Sequence, residues 1–179
     1  MRRNPWLKTL WLGLISLVCV GLDQLSKYLC VNNIALGDSI TVIPGVLDFT
    51  YIQNRGAAFG SLSDARWVFM IASVVMIAAI ALYVILNRKT IGYPTVITLS
   101  LILGGGIGNM IDRIALGYVV DFVDVRFIPF WSWIFNITDS FVCVGAFLLV
   151  IIFIFGEIKT KKAAETAQKK EDSDVTTDL

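Results

Sequence analysis

The chain contains no histidine. That absence removes the Ser-His and Cys-His arrangements, both of which need an imidazole base beside the nucleophile. A Ser-Lys pair is no better supplied, because Ser26 and Lys27 are adjacent and adjacent residues on a helix point in different directions. Three cysteines, Cys19, Cys30 and Cys143, show no C-x-x-C spacing, so neither a disulfide framework nor a thiolate zinc site is indicated. Charge is also scarce, at 16% of residues with a net of +1. No basic face interleaved with aromatics points to nucleic acid. The glycine runs lack the strand, Lys and Ser/Thr context of a phosphate loop, and a carboxylate-only metal site has no spacing signature. No metal and no cofactor are expected.

Apolar sequence is abundant. Hydrophobic residues make up 56% of the chain and mean hydropathy is +0.75, too apolar for a soluble domain of this length. Four runs are long enough to cross a bilayer, which takes about 20 residues: Trp11–Leu29, Trp67–Leu86, Ile91–Ile111 and Ile134–Phe155. The first is read as a retained helix and not a cleaved signal peptide. It is long, carries Asp23 and Lys27, and ends without a small-x-small site. Arg2, Arg3, Lys8, Arg88, Lys89 and the tail lysines fall on one side if the spans alternate, which makes both termini cytoplasmic. Trp67, Trp131 and Trp133 suit an outer aromatic belt, and Trp6, Trp11 and Tyr93 an inner one.

The fold expected is an all-α four-helix membrane bundle, residues 1–156, with a small extracytoplasmic hairpin near 39–53. A charged, disordered cytoplasmic tail, 157–179, follows it. The hairpin rests on two β-rich stretches flanking Pro44-Gly45, a pair suited to a type II turn. Residues 54–60, Asn-Arg-Gly-Ala-Ala-Phe-Gly, read either as a connector or as a segment through which backbone approaches a partner. Gly104 and Gly108 stand in small-xxx-small register for close helix packing. Val119–Arg126 alternates as an extended segment.

Every Asp before the tail falls on the outer side of this topology: Asp23, Asp38, Asp48, Asp64, Asp112, Asp121, Asp124 and Asp139. An ionised carboxylate at bilayer centre costs roughly 2.5–3.5 kcal/mol on insertion scales, so those bordering apolar runs call for an explanation. The ends of the first and third helices and the start of the fourth share one depth, which gathers Asp23, Lys27, Asn109, Asp112, Arg113, Asn136 and Asp139. Asp23 has Lys27 one turn on, Asp112 has Arg113 beside it and Asp124 has Arg126 two residues away, so each has a nearby cation. Asp121 and Asp139 have none. Brought together, two such carboxylates hold one proton between them and can act as acid and base. The alternative is that all five are caps and ion pairs that fasten the bundle.

The motifs that carry these residues resemble those of the bacterial lipoprotein signal peptidases, the signal peptidase II family. They are Asp23 with Lys27, Asn54-x-Gly56-Ala57-Ala58-Phe59, Gly108-Asn109-x-x-Asp112-Arg113, Val119-Val120-Asp121-Phe122 and Phe135-Asn136-x-x-Asp139. The resemblance spans nearly all of residues 10–155. It implies an intramembrane aspartyl endopeptidase that cuts a prolipoprotein N-terminal to its diacylglyceryl-modified cysteine. It also implies partners in the substrate and membrane lipids, and inhibitors that are cyclic depsipeptides of the globomycin type. By motif position the catalytic pair matches Asp121 and Asp139; the supporting residues match Asp23, Lys27, Asn54, Gly56, Asn109, Asp112, Arg113 and Asn136. Thr138 departs from the family, which usually has Ala there, and its hydroxyl is expected to bond a helix carbonyl or to tune Asp139.

Two rival classes remain. A small proton- or cation-coupled transporter also uses intramembrane carboxylates, but predicts polar residues through the full depth and usually an internal repeat. The cytoplasmic half of these spans is nearly free of ionisable groups and no repeat is evident. A membrane scaffold subunit predicts that Asp121→Asn leaves function intact while changes at Gly104 or Gly108 do not.

Overall fold

The structure, a computed structural model, describes residues 4–56, 66–128 and 133–177, with backbone alone at Arg66 and from 159 onward. The run at 57–60 and Trp131 lie outside the described residues. In chain order the elements are α1 (Trp6–Asn33), β1 (Ser39–Ile43), β2 (Leu47–Asn54), α2 (Arg66–Asn87), α3 (Tyr93–Ala115), β3 (Val119–Val125), β4 (Ile134–Phe135) and α4 (Ile137–Thr177). Among the described residues, four helices are long and apolar enough to cross a membrane, over Trp6–Asn33, Trp67–Asn87, Tyr93–Ala115 and Ile137–Ile158.

α1 is longer than the apolar run suggests. Pro5 stands just before its first residue, where a missing N–H costs nothing. At the far end the side chains of Asn32 and Asn33 donate back to the carbonyls of Tyr28 and Leu29, each at 2.7 Å. Those bonds tie the asparagine side chains back onto the helix, and the N–H of Ile34 takes up the Cys30 carbonyl that the terminus otherwise leaves open, at 2.9 Å. α4 starts three residues later than expected, because Ile134 and Phe135 pair with Asp124 and Val123 as a strand. It also continues to Thr177, where a disordered tail was expected. The reason is local: the segment after Gly156 is rich in Lys, Glu and Ala, all favourable in helices, and holds no Gly or Pro.

α3 is the central helix: half of its most apolar window is buried, against 6% for α2 and for α4. Its glycines explain how. A Cβ at Gly104 would lie 2.6 Å from Cys19 Cβ on α1, and one at Gly105 would lie 2.7 Å from the Thr138 carbonyl oxygen on α4. At Gly106 it would meet Met76 on α2, and at Gly108 both Thr138 and Asp23. With no side chain at four positions, three helices approach α3 closely at one level. An apolar core of Leu12, Ile80, Val84, Ile91, Val96, Leu99, Ile102 and Leu103 fills the space between that level and the N-terminal end of α1.

The hairpin is part of a four-stranded antiparallel sheet in the order β1-β2-β3-β4. Gly45 takes φ 71°, and Val46 N–H donates to the Ile43 carbonyl at 3.0 Å, as a type II turn requires. A register shift between Phe49 and Ile52 buries the neighbours Thr50 and Tyr51 together. Tyr51 then joins Cys30, Ile34, Val120 and Phe122 in a second core that seats the sheet on the end of α1. The edge strand β1 is exposed throughout. β3 lies inside the sheet and runs directly off α3, so its residues are carried back over the bundle.

Candidate active site

The end of α3 begins the site. Asp112 is buried, and its Oδ2 accepts the backbone N–H of Val120 at 3.1 Å. A carboxylate in the last turn of a helix thereby ties down the strand that follows, one residue before Asp121. Lys27 reaches the same group: its Nζ lies 2.8 Å from Asp23 and 2.9 Å from Asp112, and donates to Asn109 Oδ1 at 3.0 Å. All three ammonium hydrogens have acceptors. The partner of Asp112 is therefore Lys27 and not the adjacent Arg113. Arg113 instead donates to the Asn109 carbonyl and stacks 5.3 Å over the Phe69 ring.

The start of α4 builds the other half. Asn136 Oδ1 accepts the N–H of Asp139 at 3.0 Å, while Asp139 Oδ2 accepts the N–H of Asn136 at 3.1 Å. This is a reciprocal capping box with Asn at the cap and Asp at the third position. The cap that begins the helix thus also orients the Asp139 carboxylate, whose Oδ1 accepts from Asn109 Nδ2 at 2.8 Å.

Asn136 couples the two halves. Its Nδ2 donates to Asp121 Oδ1 at 2.6 Å and to Asn109 Oδ1 at 3.0 Å, so one fully buried amide holds both Asp121 and Asp139. Asn54, at the end of β2, donates to Asp121 Oδ2 at 2.8 Å and accepts the N–H of Gly56 at 3.0 Å. Asp121 is 2% exposed. Burial first, and the charge of Asp139 second, push its pKa up to about 7, against the opposing bonds from Asn54 and Asn136. A carboxyl that holds its proton at neutral pH beside a second carboxylate can donate to one atom while its neighbour accepts from another. Among the described residues, no group of three or more His, Cys, Asp or Glu is disposed to hold a metal ion.

The convergence expected of Asp23, Lys27, Asn109, Asp112, Asn136 and Asp139 is present, and Asp121, Asn54 and Gly56 lie in the same network. Arg113 joins by its backbone contact and by its charge, which acts on Asp139, Asp121 and Asp112. Asp124 stands apart in the sheet, where it and Asp48 share Arg126 and it accepts from Thr50. Gln24 was not anticipated, and Thr138 takes other partners than the expected helix carbonyl. Gln24 Nε2 donates to Asp112 Oδ1 at 2.9 Å and to Asp23 Oδ2 at 3.1 Å. Thr138, fully buried, turns its hydroxyl to the side-chain oxygens of Asn136, Asn109 at 2.9 Å and Asp23 at 3.2 Å, not to a helix carbonyl. A glutamine beside Asp23 inside an apolar run, and the Asn-x-x-Asp cap spacing, were the available signals.

Four helices long and apolar enough to cross a membrane, with two carboxylates bonded to one buried asparagine near one end, fit one class, the intramembrane aspartic peptidases. The family described as Signal peptidase (SPase) II matches residues 15–155, and the chain belongs to it. It is 47% identical to a lipoprotein signal peptidase of Streptococcus thermophilus (strain CNRZ 1066) over 136 residues, 76% of this chain and 87% of that one. To a lipoprotein signal peptidase of Clostridioides difficile (strain 630) it is 41% identical over 148 residues, 83% of this chain and 97% of that one. Among solved structures it is similar to a "Bacterial membrane enzyme structure by the in meso method at 2.3 A resolution", with TM-score 0.71 and 34% identity over 80% of this chain and 87% of that chain. A second structure of a bacterial membrane enzyme, at 1.9 Å, gives TM-score 0.70 and 33% identity over 79% and 91%. The chain is a multi-pass bacterial membrane protein and an aspartic endopeptidase.

Proposed function

We propose that this enzyme removes the signal peptide from diacylglyceryl-modified prolipoproteins by hydrolysing the peptide bond N-terminal to the lipidated cysteine, with Asp121 and Asp139 as the catalytic pair. The observation that carries the reading is the bridge through Asn136, which bonds Asp121 at 2.6 Å and caps Asp139 at 3.0 and 3.1 Å. In this reading Asp139 takes a proton from water as the oxygen attacks the scissile carbonyl, and Asp121 gives its proton to the carbonyl oxygen. The tetrahedral intermediate collapses when Asp139 passes its proton to the nitrogen, the C–N bond breaks and a gem-diol hydroxyl returns its proton to Asp121. The product acid and amine leave, and the pair again holds one proton.

The remaining site residues support the pair. Asp112 and Lys27 hold β3 against the bundle, Asp23, Asn109 and Asn136 fix Lys27 and Asp139, Asn54 and Gly56 shape the loop beside Asp121, and Arg113 supplies positive charge. The distribution of Lys and Arg supports cytoplasmic termini and a site near the outer leaflet. There the apolar edge strand, with Ile40, Val42 and Ile43 exposed, would rest on lipid beside the acyl chains of the substrate. Cyclic depsipeptides of the globomycin type are expected to compete for the same site. The transporter alternative has no support from the relatives.

Reconstitution with a diacylglyceryl-modified prolipoprotein tests the reading. Asp121→Asn and Asp139→Asn are each expected to abolish signal-peptide release with substrate binding retained. Release by either variant at the wild-type rate removes that residue from the chemistry. Activity should fall as pH rises through about 7, where Asp121 loses its proton; a profile governed by a single thiol-like pKa contradicts the shared proton.

A further inference from the structure

The far end of the bundle holds a polar cavity. It has a volume of about 290 Å³ and lies between the first turn of α1 and the turn that joins α2 to α3, lined by Asn4, Lys8, Arg88, Lys89, Gly92 and Tyr93 among others. From Trp6 to Asp23 the rise of α1 separates it from the Asp23–Lys27 end of the site by about 25 Å, so it is no part of that site.

Its electrostatics lack one member. Lys8, Arg88 and Lys89 bring three cations to the cavity wall, and no ion pair among the described residues involves any of them. α3 begins here at Gly92 with no side-chain cap, which adds the positive end of a 23-residue helix. Arg88 is pinned: its guanidinium lies 4.3 Å over the Trp6 ring and Nη1 donates to the Ile85 carbonyl at 2.6 Å. Its Nε is buried and has no acceptor. A buried donor without a partner is costly, and the charged side chains lining this cavity are all cations. The group that answers all of these features is an anion with several acceptor oxygens.

The setting selects which anion. Trp6 is 54% exposed and Leu10, Trp11 and Leu14 beside it on α1 are exposed as well, so an apolar surface runs from the cavity along the membrane-spanning part of the helix. Tryptophan marks the depth of lipid headgroups, and basic pockets between membrane helices hold anionic headgroups. We propose that this cavity binds the phosphate of an anionic phospholipid, with its acyl chains lying along α1. The proposal stands independently of the assignment of Asp121 and Asp139.

The test compares retention of phosphatidylglycerol and phosphatidylcholine by the full-length protein, read by native mass spectrometry and by the shift in unfolding temperature on lipid addition. Wild type is expected to retain phosphatidylglycerol preferentially. Arg88→Gln/Lys89→Gln should weaken that retention about 25-fold, at about fivefold per cation near the membrane surface. Arg55→Gln, which removes one cation at an exposed residue elsewhere, should leave it unaltered. Should the double variant fail to fold, Lys8→Gln alone is expected to give the fivefold loss, since Lys8 only rests 5.9 Å over the Tyr93 ring. Equal retention of the two lipids, an undiminished preference in these variants, or a full thermal shift from inorganic phosphate alone overturns the proposal.

Discussion

Asp121→Asn should change stability in opposite directions at low and high pH. In the folded protein Asp121 is raised from 3.8 to about 7, an interval worth about 4 kcal/mol at most. Because the folded value lies above the unfolded one, the contribution is fully present below about pH 4 and is lost as pH rises through about 7. Asparagine does not titrate, so this loss disappears. The substitution has its own cost. Asn54 and Asn136 each point an amide N–H at a different carboxyl oxygen of Asp121, and an amide at 121 offers only one oxygen. Neither partner can turn round freely, because Asn54 Oδ1 is engaged by Gly56 and Asn136 Oδ1 by Asp139. One donor is left unsatisfied, at about 1–3 kcal/mol. The variant should therefore be less stable than wild type at pH 4 by about 1–3 kcal/mol, and more stable at pH 8 by a similar amount. Unfolding of both proteins in the same detergent micelles across pH 4–8 reads the difference directly, and other titrating groups cancel. Parallel curves for the two proteins would show that Asp121 holds no excess proton in the folded state, and the acid role assigned to it would fall with that.

Lys27→Met leaves Asp23 and Asp112 buried without their shared cation and should destabilise by about 3–5 kcal/mol; adding Asp23→Asn and Asp112→Asn should recover part of the loss in the same unfolding assay. Gly105→Ala places a methyl 2.7 Å from the Thr138 carbonyl oxygen and should destabilise by about 1–3 kcal/mol. Gly13→Ala, on α1 with nothing within 4 Å, should be neutral or stabilise by roughly 0.5–1 kcal/mol. Thr138→Val removes the hydroxyl that faces Asn136, Asn109 and Asp23 and should lower kcat about tenfold with KM unchanged, the worth of one hydrogen bond; Thr138→Ser should restore it. Equal loss in both variants would make Thr138 a packing residue only.

The membrane bundle was legible in the chain because hydropathy is additive along sequence: about 20 apolar residues must span a bilayer wherever they occur. The hairpin turn and the grouping of Asp23, Lys27, Asn109, Asp112, Asn136 and Asp139 followed from turn chemistry and from alternation of the spans. Asp121 and Asp139 were singled out because neither has a cation near it in sequence; the structure sets both beside the Asn136 side chain. Partner choice was less legible. Asp112 sits next to Arg113 in the chain, yet consecutive helix residues diverge by about 100°, and the cation that reaches it is Lys27 from another helix.

Composition and periodicity by themselves determined that this is a four-span membrane protein, that histidine-based chemistry is absent and that carboxylates at one depth carry the interest. Only the tertiary structure decided that Asp112 anchors β3 through Val120, that Asn136 is at once helix cap and bridge, and that Gln24 and Thr138 belong to the network. Those bonds join residues up to 115 positions apart. Their geometry depends on how closely α1, α3 and α4 pack at the glycines of α3, a property of three helices together that no local pattern encodes.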